Sequence, residues 1–206
     1  MTDCFALLEL PRRPAVDLET LKAKFLAQSA ACHPDHSHNS APAERESLTA
    51  RFAALNSAHQ TLRDPKDRLA HLLELELGKK PTGIEGVPPD LMDCFMAVGT
   101  LCRKVDAFLA DQVKVTSPLL KVQRFQEGMT WVDEVNQMIS QLSPSMDSAI
   151  AGLEKWNQAW TSAPEAGRTE RMASLPLADL EWDFRKISFL SRWLSQLRER
   201  VVRLAV

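Results

Sequence analysis

The sequence predicts an all-α protein: an N-terminal helical hairpin followed by a C-terminal antiparallel helical bundle. Three observations carry this. Apolar residues recur every three or four positions along nearly all of the 206 residues. No alternating run of β-branched residues gives the signal of a half-buried strand. Prolines stand at or near the starts of the periodic segments, where a missing N–H costs little.

The first short helix spans about residues 2–9, with Phe5 and Leu8 inward. Pro11 and Pro14 bound a loop, and Asp17 stands where an N-cap belongs. The second helix runs to about Cys32 on a stripe of Leu18, Leu21, Phe25, Gln28/Ser29 and Cys32. His33-Pro34 ends it, because proline lacks the N–H and pushes its predecessor out of the α region. A polar loop follows to about Ala43. The third helix, about 43–62, carries Leu48, Phe52, Leu55, His59 and Leu62 and pairs best as an antiparallel partner of the second. Asp64-Pro65 restarts the chain as a short helix bearing Leu69, Leu72 and Leu73.

GKKPTGIEGVPPD, from Gly78 to Asp90, has linker composition. The domain reading is therefore 1–77, a linker at 78–88, and a bundle at 89–206. In the bundle, a helix at about 89–111 carries Leu91, Phe95, Val98, Cys102, Val105 and Leu109. A second, about 118–142, carries Val122, Phe125, Met129, Val132, Asn136 and Ile139. A third, about 144–161, carries Met146, Ile150, Leu153, Trp156 and Trp160. The last, about 176–204, carries Leu180, Phe184, Ile187, Leu190, Leu194, Leu197, Val201 and Leu204.

Composition narrows the function. Twenty-five Lys and Arg against 27 Asp and Glu leave a net charge of −2, without the basic footprint of a nucleic-acid binder. No apolar run is long enough to span a membrane. The opening MTDCFALLELPRR reads without an export or import signal, and four cysteines without paired spacing read as reduced thiols, so a cytoplasmic location is expected. Glycine is scarce and neither common nucleotide-binding loop occurs. No nucleophile–base constellation can be argued, so neither an enzyme nor a cofactor is expected.

The informative tripeptide is His33-Pro34-Asp35, placed in CHPDH at the tip of the hairpin. Proline stiffens the turn, so Asp35 is presented with little entropy to lose on binding. An exposed carboxylate there suits bidentate capture by a partner's arginine. With FALLEL, LKAKFLAQSAACHPDH and FAALNSAHQTLRDPKDRLAHLL around it, the chain resembles the J-domain family of co-chaperones over about residues 3–75. The resemblance implies that His33, Pro34 and Asp35 trigger ATP hydrolysis in a DnaK/HscA-class chaperone. It also implies that basic residues of the second helix, here Lys22 and Lys24, help to dock it. That face is sparse in this chain, since LAQSAA fills the stretch before Cys32 and residues 1–76 hold more acidic than basic side chains. Electrostatic steering should be weak.

The remainder lacks the Gly/Phe-rich linker and zinc repeats of general J-proteins. LMDCFM (Leu91–Met96) and RKISFLSRWLSQL (Arg185–Leu197) resemble patches of the HscB-type family, which serves iron–sulfur cluster assembly. That resemblance implies binding of the cluster scaffold protein by Leu91, Met92, Phe95 and Phe189. Independently of it, Met92 and Met96 widen the apolar arc beyond one packing face, which calls for a covering partner. The alternatives are a J-protein with another client or a scaffolding-only role, or a metal-binding helical protein using Cys32, His33, Asp35, His36 and His38. No second ligand cluster completes such a metal site, and His59 lies on an apolar stripe.

Overall fold

The computed structural model describes residues 2–32, 41–81, 86–164 and 167–205, and among these every regular element is a helix. The all-α expectation holds. The chain divides into two compact units, Met1–Thr82 with Ile150–Phe184, and Gly83–Ala149 with Arg185–Val206.

The first unit opens with α1 (Cys4–Leu7), whose N-cap Asp3 accepts the N–H groups of Phe5 and Ala6 at 2.9 and 3.2 Å. Helix α2 (Leu18–Ala30) is capped by Asp17, which accepts the Thr20 N–H at 2.9 Å. Helix α3 (Pro42–Arg63) starts on proline, which loses nothing there because the first N–H groups of a helix have no partner. Asp64 ends α3 and caps α4 (Pro65–Leu77), accepting the Asp67 N–H at 3.0 Å. Gly78, with φ +74°, closes α4 in the left-handed region that glycine enters without a Cβ penalty.

Helices α2 and α3 pack through Leu21, Leu55, Ala58 and Leu62, all buried, and Phe25 stacks on His59 with ring centroids 4.4 Å apart. Phe5, Leu8, Leu69, Leu72 and Leu73 are also fully buried. Leu18, expected inward, is exposed at the first position of α2.

Residues 150–184 are folded into this same unit. They form a 3₁₀ turn (Gly152–Trp156), α7 (Asn157–Ser162), α8 (Arg168–Ser174) and the start of α9 (Leu177–Leu204). The sequence reading gives 89–206 to one bundle; the contacts of 150–184 are made with the N-terminal unit. Asn157 explains part of this: its amide accepts the Ala15 N–H and donates to the Ala15 carbonyl, each at 3.0 Å. Leu153, Trp160, Leu175, Leu177 and Leu180 are buried.

In the second unit a 3₁₀ turn (Pro89–Leu91) leads into α5 (Met92–Gln112). Its core joins Val98, Val105 and Phe108 of α5 to Val132, Val135 and Leu142, and to Phe189, Leu190, Trp193, Leu194 and Leu197 of α9. Asp106 is gripped by Arg200 at 2.5 Å.

Two corrections concern α6. The sequence reading starts a new helix at Pro144, but α6 is continuous from Pro118 to Ala151 with Pro144 inside it. The apolar spacing explains why: Val135, Met138, Ile139, Leu142, Met146 and Ala149 face the same core on both sides of the proline. The ladder bond from residue 144 to the Ser140 carbonyl is lost. Nearby, Ser140 and Ser143 donate to the carbonyls of Asn136 and Ile139 at 2.9 and 2.8 Å. The second correction is that Val122, Phe125 and Met129, read as inward, are exposed, and α6 meets the core through Gly128, Trp131 and then Val132.

Candidate functional site

The hairpin of α2 and α3 is set by buried polar ties as well as by apolar packing. Arg68, almost wholly buried, donates from Nε to the Pro14 carbonyl at 2.8 Å and from Nη1 to the Leu62 carbonyl at 2.7 Å. One side chain thus fixes the loop before α2 to the end of α3. Burial lowers its pKa to about 10, with Asp64 opposing, so the guanidinium stays charged at neutral pH. His71 holds α1: its Nε2 accepts the Cys4 N–H at 3.0 Å, and its ring stacks on Phe5. That bond needs a lone pair on Nε2, and burial keeps the imidazole pKa below its ordinary value.

The connection between α2 and α3 carries His33, Pro34 and Asp35, which lie outside the described residues, as do His36 and His38. Cys32, just before them, is buried, with Sγ 3.6 Å from the carbonyls of Gln28 and Ser29. Of the two lysines on α2, Lys22 is exposed, whereas Lys24 is paired to Glu9 at 3.1 Å.

The second unit displays a compact apolar patch at the start of α5. Met92, Phe95 and Met96 are 44%, 41% and 58% exposed. Leu91 and Phe189 are core residues. The Phe95 ring lies 6.3 Å from that of Trp193, which in turn lies 5.6 Å from Phe189. Trp193 and Phe189 therefore floor the patch instead of facing solvent. Lys186 and Asp90 form an ion pair beside it. The sequence stripe puts Phe95 inward with Leu91 and Val98. The structure brings Phe95 outward with the two methionines, because Cys94, not Phe95, fills the inward position between Leu91 and Val98. Trp193 is the supporting residue that periodicity alone does not assign to this place.

A DnaJ-domain family model matches residues 3–71. Over 162 residues the chain is 26% identical to a co-chaperone protein HscB homolog of Mannheimia succiniciproducens, covering 77% of this chain and 84% of that one. Residues 3–71 are a J-domain, and the chain is similar to HscB co-chaperones over most of its length. Its fold is that of HscB from Vibrio cholerae, at TM-score 0.51 and 20% identity over 96% of each chain. It is likewise that of the human co-chaperone HscB, at TM-score 0.57 and 17% identity, covering 98% of this chain and 81% of the human one. The J-domain match ends within α4, before the patch on α5.

Proposed function

We propose that the chain is a co-chaperone that stimulates the ATPase of a DnaK/HscA-class chaperone through His33, Pro34 and Asp35, and delivers a client held on its second unit. The observation that carries this reading is the J-domain match over residues 3–71, with the HPD tripeptide in the α2–α3 connection. Asp35 offers its carboxylate to a guanidinium of the chaperone, and Pro34 limits the entropy lost on binding. Lys22 adds local positive charge, while Lys24, neutralised by Glu9, contributes less.

The client is the iron–sulfur cluster scaffold protein, bound where Met92 and Phe95 are exposed, with Met96 extending the surface. Methionines conform to a partner's contour, and a phenylalanine supported by buried tryptophan supplies a rigid anchor. Leu91 and Phe189 act beneath this surface by holding Phe95 and its turn in place. Joining the two activities in one chain presents the client to the chaperone at raised effective concentration. The chain itself catalyses no reaction, and the site of action is the cytoplasm.

Single-turnover ATP hydrolysis by a DnaK/HscA-class chaperone tests the trigger. Wild type is expected to accelerate hydrolysis, and Asp35→Asn to abolish nearly all of that acceleration with an unchanged circular dichroism spectrum. Equal acceleration by both would refute the role of Asp35.

A further inference from the structure

A cavity of about 520 Å³ in the first unit gathers three guanidiniums, those of Arg12, Arg13 and Arg171. Two of them are matched. Arg12 bonds Asp3 through Nε and Nη2 at 2.9 and 2.8 Å. Arg171 grips Glu76 through Nε and Nη2 at 2.9 and 2.7 Å, and its Nη1 donates to the Pro164 carbonyl at 3.0 Å. Arg13 has no carboxylate within ion-pair distance among the described residues. Its Nε–H is buried without an acceptor. Trp160, 4% exposed, lines the same cavity, and its indole N–H is also buried without an acceptor.

An orphaned buried donor forfeits its hydration and gains nothing in return. Two such donors and one unmatched positive charge share a single remedy, an acceptor carrying one negative charge. We propose that this cavity binds the carboxylate of a small organic acid, with Arg13 as its charge partner and the Trp160 N–H as an orienting donor. The planar fork of a guanidinium matches a carboxylate bidentately. Pro11, Ala163 and the indole wall the cavity for a short carbon chain, and its volume exceeds that of a bare ion. The charge count favours a monoanion: three guanidiniums against Asp3 and Glu76 leave one positive charge. Asp17 and Glu154 line an adjoining cavity that Arg13 also borders, which weighs further against a dianion. Both orphaned N–H groups are closed to water, so binding requires the Arg13 side chain, which no described carboxylate holds, to move aside.

The test is a titration of the full chain with sodium propionate at constant ionic strength, followed through the five tryptophan indole resonances. Trp160→Phe identifies the Trp160 signal. A saturable shift of that signal is expected, with no response to sodium chloride. Arg13→Gln is expected to weaken it roughly tenfold or more. Arg13→Lys, which keeps the charge and loses the fork, should fall between, and it carries the test if the glutamine variant does not fold. The other four indole signals report an intact fold. A shift that never saturates, equal affinity in wild type and Arg13→Lys or Arg13→Gln, or tighter binding of inorganic phosphate than of propionate would overturn the assignment.

Discussion

Glu76 of α4 and Arg171 of α8 form a two-point ion pair, at 2.7 and 2.9 Å, across 95 positions of sequence. Glu76 is 1% exposed, so its charge is compensated by protein and not by water. Arg12 approaches the same carboxylate at 3.9 Å. With the two Ala15–Asn157 bonds, this pair fastens residues 150–184 to the loop before α2 and to α4. The J-domain of this chain is consequently stabilised by a segment far outside its own family match.

Removing Arg171 leaves the buried Glu76 carboxylate with Arg12 alone, at 3.9 Å, and breaking a buried pair costs about 3–5 kcal/mol. Arg171→Met is therefore expected to lower stability by that order, and Glu76→Met with Arg171→Met to recover much of the loss. Urea unfolding of the two single variants and the double variant measures the coupling. Additive losses would show that the pair contributes no specific energy.

Arg68 sits where the sequence carries D-P-x-x-R, and the structure gives the arginine its reason. The carbonyls of Pro14 and Leu62 point at one buried guanidinium. Arg68→Met would strand both acceptors, at about 1–3 kcal/mol each for a fully unsatisfied group. The variant should unfold at lower denaturant concentration, with chaperone stimulation per folded molecule nearly unchanged. Arg68→Lys, which reaches one carbonyl at most, should lie between the two.

The α5 patch separates binding from stability. Met92→Ser should change stability by no more than about 0.5 kcal/mol, as for most exposed positions. Together with Phe95→Ser, it should weaken scaffold binding by about 2 kcal/mol or more if these are the anchors. Leu91→Ala should instead cost about 2–5 kcal/mol of stability, the range for deleting buried leucine atoms. Calorimetric titration with the scaffold protein, paired with urea melts, distinguishes the two classes. Full affinity in the Met92/Phe95 double variant would remove this surface from the client-binding account.

What the sequence discloses follows the range of the forces involved. Local signals are sufficient for the cap at Asp17, the restart at Asp64-Pro65 and the pairing of α2 with α3. Each rests on residues a few positions apart. Pro144 misled because a helix-breaking residue was weighed alone, while apolar residues on both sides share one core face. The attachment of 150–184 was hidden because Asn157 and Arg171 find their partners 142 and 95 positions away. A wide apolar arc at the start of α5 suggests a second surface, but periodicity does not decide between Cys94 and Phe95 for the inward position, nor place Trp193 beneath Phe95.

His71 gives the first unit a pH dependence of definite sign. The unfolded chain protonates histidine near 6.5. In the folded chain burial lowers that value; Asp3 and Glu74 oppose the shift and Arg12 adds to it. His59 shifts the same way, through burial and then Arg63. Between the folded and unfolded values the unfolded chain binds more protons, so stability rises with pH in that window and is lost as pH falls below about 6.5. The structure supplies the cause, since a protonated Nε2 could no longer accept the Cys4 N–H. Urea midpoints should therefore decline from about pH 7.5 to about pH 5.5. His71→Gln, which keeps an acceptor without titrating, should flatten part of that decline. An identical slope in both proteins would assign the effect to other groups.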